Sequence, residues 1–286
     1  MRPLPEQTIL ITGATDGLGR ALARELAGGG ARILLHGRDD AKGERTIAEI
    51  AEETGNEELL WLRADLASLD QVRGLGELVL GETGRLDVLV NNAGIGTTTA
   101  GVDEREESRE GFELRFAVNY LAGYLLTRLL LGLLEGSAPA RIINVSSAGQ
   151  APIDFDDVML TRRYSGVQAY CQSKLAQIMF TFDLAEELRE RGVTATCLHP
   201  ATYMPTKMVL AGGIEPVSSL EQGTEATLRL IAGEQLEGVT GHYFNGVREA
   251  APHPQAEDLE ARARLRELSD GLCGLEPVRG RRGGPG

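Results

Sequence analysis

A short apolar segment that runs directly into a glycine-rich turn and a helix is the feature that most constrains the fold. Residues 8–12 form the apolar segment, and Gly13, Gly17 and Gly19 follow before a predicted helix that continues to Ala27. Glycines let the backbone approach a ligand closely, and the free N–H groups at a helix N-terminus attract anions. The pattern therefore predicts a phosphate-binding turn at the first strand-to-helix crossing, although glycines in turns also serve chain reversal alone.

Strand-length apolar segments alternate with helix-length segments along the rest of the chain. Predicted strands lie at 8–12, 31–36, 58–63, 86–90, 141–147, 193–198 and 241–245, and further helices at 41–53, 112–134, 167–191 and 219–232. This alternation predicts an α/β fold, a doubly wound parallel sheet of the Rossmann type with helices on both faces. No linker divides the chain, so we expect one domain over residues 1–275 and a disordered Gly/Arg-rich tail over 276–286.

Composition limits the classes of function. A net charge of −13 argues against nucleic-acid partners and anionic membranes. Cys171, Cys197 and Cys273 have no metal-ligand spacing and form no disulfide framework, which favours the reducing cytoplasm and no metal site. The first strand begins within about seven residues, so we expect no signal peptide, and the most apolar helix, 121–134, is too short to span a bilayer. Only three of the 29 basic residues are lysines, a bias associated with high-GC bacterial genomes.

The end of the second predicted strand indicates which dinucleotide the fold would take. A carboxylate there would bind both hydroxyls of the adenosine ribose, but the sequence has Gly37 followed by Arg38. The planar guanidinium of arginine can pair a 2′-phosphate through two hydrogen bonds. We therefore expect NADP(H) in preference to NAD(H). Two acidic residues, Asp39 and Asp16 in the glycine turn, argue against this preference. The alternative is that Arg38 is merely a solvated side chain after a strand.

Polar residues at two further strand ends have a structural and a functional interpretation each. Asp65 could receive an adenine amino group, or it could serve as a turn or capping carboxylate near Ser68. The run 91–94, Asn-Asn-Ala-Gly, could let the backbone pass beneath a cofactor, or its amides could bridge adjacent strands. Asn119 lies inside an apolar helix, where its polar group needs a partner.

Tyr170 and Lys174 are four residues apart in a predicted helix, so they share one face. A nearby ammonium favours the phenolate, which would bring the Tyr pKa down from ~10 and suit general acid/base work. An exposed helical pair without function is the alternative. The preceding segment, 148–166, is longer than a crossover needs, so we expect it to cover a site on the substrate side without being part of the core; 201–217 is the second expected substrate-side segment.

In combination these motifs resemble the short-chain dehydrogenase/reductase family over about residues 7–273. The shared features are Thr12-Gly13-x-x-x-Gly17-x-Gly19, the Asn-Asn-Ala-Gly run, Asn119, Ser147 and Tyr170-x-x-x-Lys174, in the family's order. The stretches 116–120, 154–157, 173–176 and 198–200 are similar to the retinol dehydrogenase and WW-domain oxidoreductase branch. The chain departs from the family at Ala201, where glycine is usual, and no membrane-anchoring segment of the kind found in many retinol enzymes precedes the first strand.

The resemblance implies an oxidoreductase that moves a hydride between NADP(H) and a carbonyl or alcohol. Tyr170 would be the general acid/base, and Ser147, preferred over Ser146, would hold the substrate oxygen. Lys174 would lower the Tyr pKa and bind the nicotinamide ribose, while Asn119 would hold a water of a proton relay. The implied cofactor-binding residues are Gly13, Thr15, Asp16, Gly17, Leu18, Gly19, Arg38, Asp65, Leu66, Asn92, Ala93, Gly94, Tyr170, Lys174, Pro200, Thr202 and Thr206.

Relatives often pair through the helices that carry Asn119 and Tyr170, which implies a homodimer or homotetramer. We interpret His199, at a strand end, as structural. One alternative is a non-catalytic NADP(H)-binding sensor or scaffold of the same fold. A sugar-nucleotide epimerase or dehydratase also carries Tyr-x-x-x-Lys, but such enzymes resemble a longer form with different glycine spacing.

Overall fold

One mostly parallel sheet forms the centre of the molecule in the computed structural model, which describes residues 1–97 and 104–276. Its strand order is β3-β2-β1-β4-β5-β6-β7-β8; β1 to β7 pair in parallel, and β8 is antiparallel to β7. The strands are β1 (Thr8–Ile11), β2 (Arg32–Gly37), β3 (Leu59–Arg63), β4 (Val88–Asn91), β5 (Ala140–Val145), β6 (Val193–His199), β7 (His242–Asn245) and β8 (Arg248–Glu249). The predicted doubly wound fold is confirmed.

Helices cover both faces of this sheet. They are α1 (Gly17–Gly28), α2 (Asp40–Thr54), α3 (Leu69–Glu82), α4 (Ala122–Gly136), α5 (Gly166–Glu187), α6 (Lys207–Ala211), α7 (Leu220–Ala232) and α8 (Leu259–Cys273). α1, α2 and α7 pack on one face, and α3, α4, α5 and α8 contribute to the core on the other. The strand order reverses between β1 and β4, and in open α/β sheets ligands bind at the carboxyl ends of the strands beside that switch point.

The apolar part of the helix that carries Asn119 is longer than the predicted stretch 121–134. A π-helical turn, Phe116–Leu121, leads directly into α4, so the helix of 21 residues from Phe116 to Gly136 has the length and apolar composition to cross a membrane. The expectation that it is too short for a bilayer is therefore wrong. Of the apolar part of this helix, 61% is buried inside the protein, and Leu125, Leu130 and Leu134 belong to the core.

The segment 148–166 is part of the core, so the expectation that it lies outside it is wrong. Ile153, Val158 and Leu160 are at most 7% exposed, and Ile153 and Val158 belong to the larger apolar cluster. The Gln172 side chain on α5 donates a hydrogen bond to the Val158 carbonyl oxygen at 2.6 Å. The acidic composition had suggested a solvated cover, but the three apolar side chains on either side of the acidic residues are buried.

α8 lies against the outer side of α4 and α5. The hydroxyls of Tyr120 and Ser269 are 2.7 Å apart, and the Tyr124 hydroxyl donates to Asp270 at 2.5 Å. Arg262, which is 5% exposed, pairs with Asp183 of α5 at 2.7 Å. α8 therefore fixes the helix on which Tyr170 lies. The predicted tail lies outside the described residues from position 277 onward.

Candidate active site

The turn after β1 has the shape of a phosphate cradle because side chains cannot fit in it. Gly13 has φ +68°, and a Cβ built on it would lie 2.9 Å from Cα of Ala93. A Cβ on Gly19 would lie 2.2 Å from the Gly13 carbonyl oxygen. The turn ends at the N-terminus of α1, where Leu18 is buried and where the first N–H groups of a helix have no partner within the helix. This geometry fits the pyrophosphate of a dinucleotide.

The side chains of Asn92 and His36 fix the conformation of this turn. Asn92 was expected to bind the cofactor, and no role was expected for His36. Asn92 donates from Nδ2 to the Thr12 and Gly13 carbonyl oxygens at 2.8 and 3.2 Å. The Gly13 N–H donates to Nδ1 of His36 at 3.3 Å, and Nε2 of His36 donates to the Ala64 carbonyl oxygen at 3.1 Å. Burial lowers the pKa of His36 to about 4, so the ring is neutral in the tautomer that these partners require. The sequence feature that could have indicated this role is a histidine within an otherwise apolar strand.

The amides of the Asn-Asn-Ala-Gly run bridge neighbouring strands, as the structural interpretation held. Nδ2 of Asn91 donates to Asn144 on β5 at 2.9 Å and to Thr127 at 3.0 Å. Gly94 lies close to both proposed catalytic groups on this side: its Cβ position is 3.2 Å from Oδ1 of Asn119 and 3.5 Å from Nζ of Lys174. The run therefore holds the strand ends together and also passes close to the candidate site.

The segment 201–217 folds over the mouth of the glycine turn. Asp16 caps α1 by accepting from the Gly17 N–H at 2.8 Å, and its other oxygen lies 2.5 Å from Nζ of Lys207. Thr206 directly precedes α6, and its methyl group is 3.0 Å from the Cβ position of Gly17. Asp16 is thus paired with a cation from this segment.

The end of β2 presents one cation that faces solvent. Arg38 is exposed, and within the described residues no ion pair engages its guanidinium. Asp39 caps α2 by accepting from the Lys42 N–H at 3.1 Å. Asp40 accepts from Nε1 of Trp61 at 2.9 Å. The acidic neighbours of Arg38 are therefore turned toward protein partners.

Asp65 forms a local turn, as its structural interpretation predicted. Its Oδ1 accepts from the Ala67 N–H at 3.1 Å, and its own N–H donates to Gln71 at 2.9 Å. Leu66 is buried next to it at 8% exposure. Both residues follow β3 at the same edge of the sheet as the glycine turn.

Ser147 and Tyr170 form the polar pair at the end of β5. Ser147 accepts from the Gly149 N–H at 3.0 Å, and its Oγ and Cε1 of Tyr170 lie 3.5 and 3.8 Å from the Cβ position of Gly149. The neighbouring Ser146 donates its hydroxyl to the Lys174 carbonyl oxygen at 2.7 Å and is thereby committed to the backbone of α5. Burial of the phenol raises the pKa of Tyr170 although the residue is partly exposed, and the neighbouring Ser147 hydroxyl opposes this rise.

Lys174 does not contact the Tyr170 hydroxyl in the protein alone. Its Nζ lies 5.7 Å from the centre of the Tyr170 ring and donates to the Val145 carbonyl oxygen at 3.0 Å and to Gln177 at 2.9 Å. Burial lowers the pKa of Lys174 to about 7. The lowering of the Tyr pKa by Lys174 that the resemblance implies is therefore not found in these side chains by themselves, because the cation faces the sheet and is itself costly to bury.

Asn119 lies in the π-helical turn and connects three elements. Its Oδ1 accepts from the Ile95 N–H at 2.8 Å, and its Nδ2 donates to the Ile95 carbonyl oxygen at 3.1 Å and to Ser173 of α5 at 3.0 Å. The polar partner expected for this residue is thus found in the backbone beyond β4 and in α5. π-helical turns inside α-helices occur often at functional sites.

The remaining predicted residues lie beyond β6. Pro200 directly follows the strand, and Thr202 is 2.9 Å from Nε2 of His199. Burial, and then the charge of Lys174, lowers the pKa of His199. The carboxyl ends of the sheet therefore bring together the glycine turn, Arg38, Asn119, Ser147, Tyr170 and Lys174, while Thr15 lies beside Gly37 with its methyl group 3.2 Å from that residue's Cβ position.

Comparison with known proteins gives the same family throughout. The family described as short chain dehydrogenase matches residues 7–211. Human retinol dehydrogenase 13 is 39% identical over 291 residues, covering 96% of this chain and 86% of its own. Because that relative is eukaryotic, the bacterial origin suggested by the arginine excess stays a prediction.

Solved structures of similar proteins extend the comparison. An uncharacterised protein from Mycobacterium paratuberculosis has TM-score 0.77 and 29% identity, with 95% of this chain and 94% of that chain covered. A short chain dehydrogenase from Escherichia coli CFT073 complexed with NADPH has TM-score 0.69 and 27% identity, covering 85% and 97%. The 3-ketoacyl-(acyl-carrier-protein) reductase from Brucella melitensis complexed with NADH has TM-score 0.66 and 27% identity, also covering 85% and 97%. With its glycine cradle and its Ser-Tyr pair at the strand ends, this chain belongs to the short-chain dehydrogenase/reductase family.

Proposed function

We propose that this protein transfers a hydride between NADP(H) and a carbonyl or alcohol, with Tyr170 as the general acid/base. The observation that carries the proposal is the neighbouring position of Ser147 and Tyr170 at the carboxyl edge of the sheet, where both side chains lie within 3.8 Å of the Cβ position of Gly149. Two hydroxyls side by side can bind one substrate oxygen and exchange one proton with it. The nicotinamide would supply the hydride, since no side chain can do so.

Tyr170 is protonated at neutral pH, and the neutral phenol is the form that gives a proton to a carbonyl oxygen during reduction. The rise in its pKa that burial causes makes the phenol a weaker acid, so it opposes this transfer. Ser147 would hold that oxygen in place. Lys174 and Asn119 lie next to Gly94, where they would bind the nicotinamide ribose and guide a proton toward solvent. In the reverse direction Tyr170 would take the proton from an alcohol.

The cofactor preference rests on the end of β2. Arg38 is exposed without an ion pair in the described part of the chain, while Asp39 and Asp40 are engaged with Lys42 and Trp61. A charge-assisted contact to a 2′-phosphate contributes about 1.5–3 kcal/mol, roughly ten- to a hundred-fold in affinity. The NADPH-bound relative from Escherichia coli supports NADP(H), whereas the Brucella reductase was solved with NADH.

A relative and the segment 201–217 both support the proposed substrate class. Retinol dehydrogenase 13 is named for an apolar alcohol. Tyr203, Met208 and Leu210 in the segment 201–217 are 40–56% exposed, which is unusual for large apolar side chains. Both observations favour an apolar alcohol or aldehyde that contacts these side chains.

The test is a screen of alcohols, aldehydes and ketones by nicotinamide absorbance, with NADPH and NADH side by side. We expect Tyr170→Phe to lower turnover by ~10²–10⁴-fold, because it removes only the hydroxyl that moves the proton. Nucleotide affinity measured by calorimetry on the same variant should stay close to wild type. Turnover within a few-fold of wild type would contradict the assignment, and tight nucleotide binding without turnover of any substrate would identify a sensor.

The location and assembly of the protein are parts of the same proposal. All three cysteines are free, and Cys197 and Cys273 are buried, which supports the reducing cytoplasm. The family resemblance supports a homodimer or homotetramer that pairs through α4 and α5. Since α8 occupies part of the surface of both helices, such pairing would use the area that α8 leaves exposed.

A further inference from the structure

We propose that Trp61 is a specificity-determining residue, because its indole ring reserves the end of β2 for glycine and so excludes a carboxylate that would favour NAD(H). This inference rests on the proposed use of NADP(H) and names the residue that enforces it. Trp61 is the only tryptophan of the chain and lies on β3, next to β2, where it pairs in register with Leu35.

The ring fills the space that a side chain at position 37 would need. A Cβ built on Gly37 would lie 2.6 Å from Cη2 and 3.3 Å from Cζ3 of Trp61. The Thr15 methyl group adds a weaker restriction at 3.2 Å. Carbon atoms at van der Waals contact are about 3.5–4.0 Å apart, so any residue larger than glycine must displace the ring.

The ring has little freedom to move away. Gly43 of α2 also faces it, and its Cβ position lies 2.2 to 2.6 Å from three other atoms of the indole. Nε1 of Trp61 donates to Asp40 at 2.9 Å, which ties the ring edge to the first turn of α2. The indole is thus held between the end of a strand and a helix, with a glycine facing it from each.

The same ring also binds Asp40, so that Arg38 is the charged side chain that a substituent of the ribose meets. Asp40, bound to Trp61, also lies 3.4 Å from Nε of Arg63, and that nitrogen is 3.4 Å from the Arg38 carbonyl oxygen. The carboxylate is therefore shared between the indole and an arginine, instead of facing the ribose. Without an acid at position 37, and with Asp40 held aside, a 2′-phosphate is attracted and free ribose hydroxyls lose their best acceptor.

The experiment is a double-variant cycle on the full-length protein. Gly37→Asp, Trp61→Val and the combined variant are compared with wild type by melting temperature and by calorimetric affinity for NADH and NADPH. We expect Gly37→Asp alone to lower the melting temperature strongly, and Trp61→Val to relieve most of that loss in the combined variant. The combined variant should bind NADH at least about tenfold tighter than Trp61→Val does, and NADPH correspondingly less tightly.

Gly43 provides the matched control, because it faces the same ring from α2. Gly43→Ala paired with Trp61→Val should show the same relief in melting temperature, but the ratio of NADH to NADPH affinity should stay that of Trp61→Val. Additive melting temperatures in the Gly37 cycle would overturn the steric argument, and relief without a gain in NADH affinity would overturn the role in specificity. A wild type that prefers NADH would refute the proposed cofactor instead, while the melting-temperature cycle would still report on the packing.

Discussion

Burial moves the pKa values of Lys174 and Tyr170 in opposite directions, since it disfavours the charged form of each. The Lys174 pKa falls to about 7, and that of Tyr170 rises above its ordinary value. Two neutral groups are less costly in an apolar site than a phenolate paired with an ammonium. The protein alone therefore holds the proton on Tyr170, and anionic groups of a bound nucleotide would favour the charged form of Lys174.

His36 should make the stability of the fold fall in acid. Its pKa is about 4 in the folded protein and 6.5 in its ordinary state, so the unfolded chain binds the proton first. The stabilisation is complete above pH 6.5 and is lost as the pH falls toward 4, which amounts to up to about 3 kcal/mol. Urea unfolding at a series of pH values measures this slope.

His36→Asn is the variant that isolates this contribution. Its side-chain oxygen can still accept from the Gly13 N–H, but it cannot take up a proton in this range. We expect the variant to be less stable at pH 7 and to lose less stability than wild type between pH 6.5 and 4. Parallel stability curves for the two proteins would show that His36 is not the titrating group.

The segment 148–166 behaves as an element of the fold and should be tested as one. Ile153 is 3% exposed, so Ile153→Ala should destabilise the protein by about 2–5 kcal/mol through lost burial and a cavity. Val167→Ala is the control, because that side chain is 57% exposed and its truncation should change stability little. Chemical denaturation of both variants gives the values, and equal, small effects would place the segment outside the core after all.

The elements that sequence reasoning missed share a physical cause. α3 contains Gly74, Gly76 and Gly81, which are poor helix formers, and its Leu78 and Leu80 face solvent, so its apolar pattern is blurred. α8 buries Arg262, Ser269 and Asp270 among its contacts, and such a helix has no readable apolar stripe. Both helices exist because of tertiary packing.

The candidate site was also predictable only in part from the sequence. Strand ends of a parallel sheet meet at one edge, so the order of the motifs was enough to group Ser147, Tyr170 and Lys174. Contacts between side chains that are distant in sequence, such as His36 with Gly13 or Trp61 with Gly37, leave no local pattern. In the sequence Gly37 indicates the absence of a carboxylate, and the structure adds that a larger residue at this position has no room.

The seating of α8 on α5 links the stability of the whole molecule to the helix of Tyr170. Arg262 pairs with Asp183 and Glu186, both at 2.7 Å, and is 5% exposed. Arg262→Met should cost about 3–5 kcal/mol, because it leaves Asp183 buried with only Arg266 at 3.2 Å. Thermal unfolding of the variant measures the loss.

Arg191→Met is the control for Arg262→Met, because it makes the same substitution at a different ion pair. Its ion pair with Glu135 at 2.8 Å is largely exposed, and such pairs contribute about 0–1 kcal/mol. An Arg262→Met protein as stable as this control would show that α8 is a peripheral addition. The turnover of both variants at a temperature where they remain folded separates the packing of α5 from its chemistry.

The position of α8 also has a consequence for synthesis of the protein. α8 follows every strand of the sheet in the chain, yet it covers Tyr120 and Tyr124, which precede it by about 150 residues. While the ribosome is still translating α8, the outer sides of α4 and α5 have no cover, and an emerging domain with exposed apolar surface is prone to aggregate. The growing chain therefore exposes this surface until α8 emerges and covers the back of the helix that carries Tyr170.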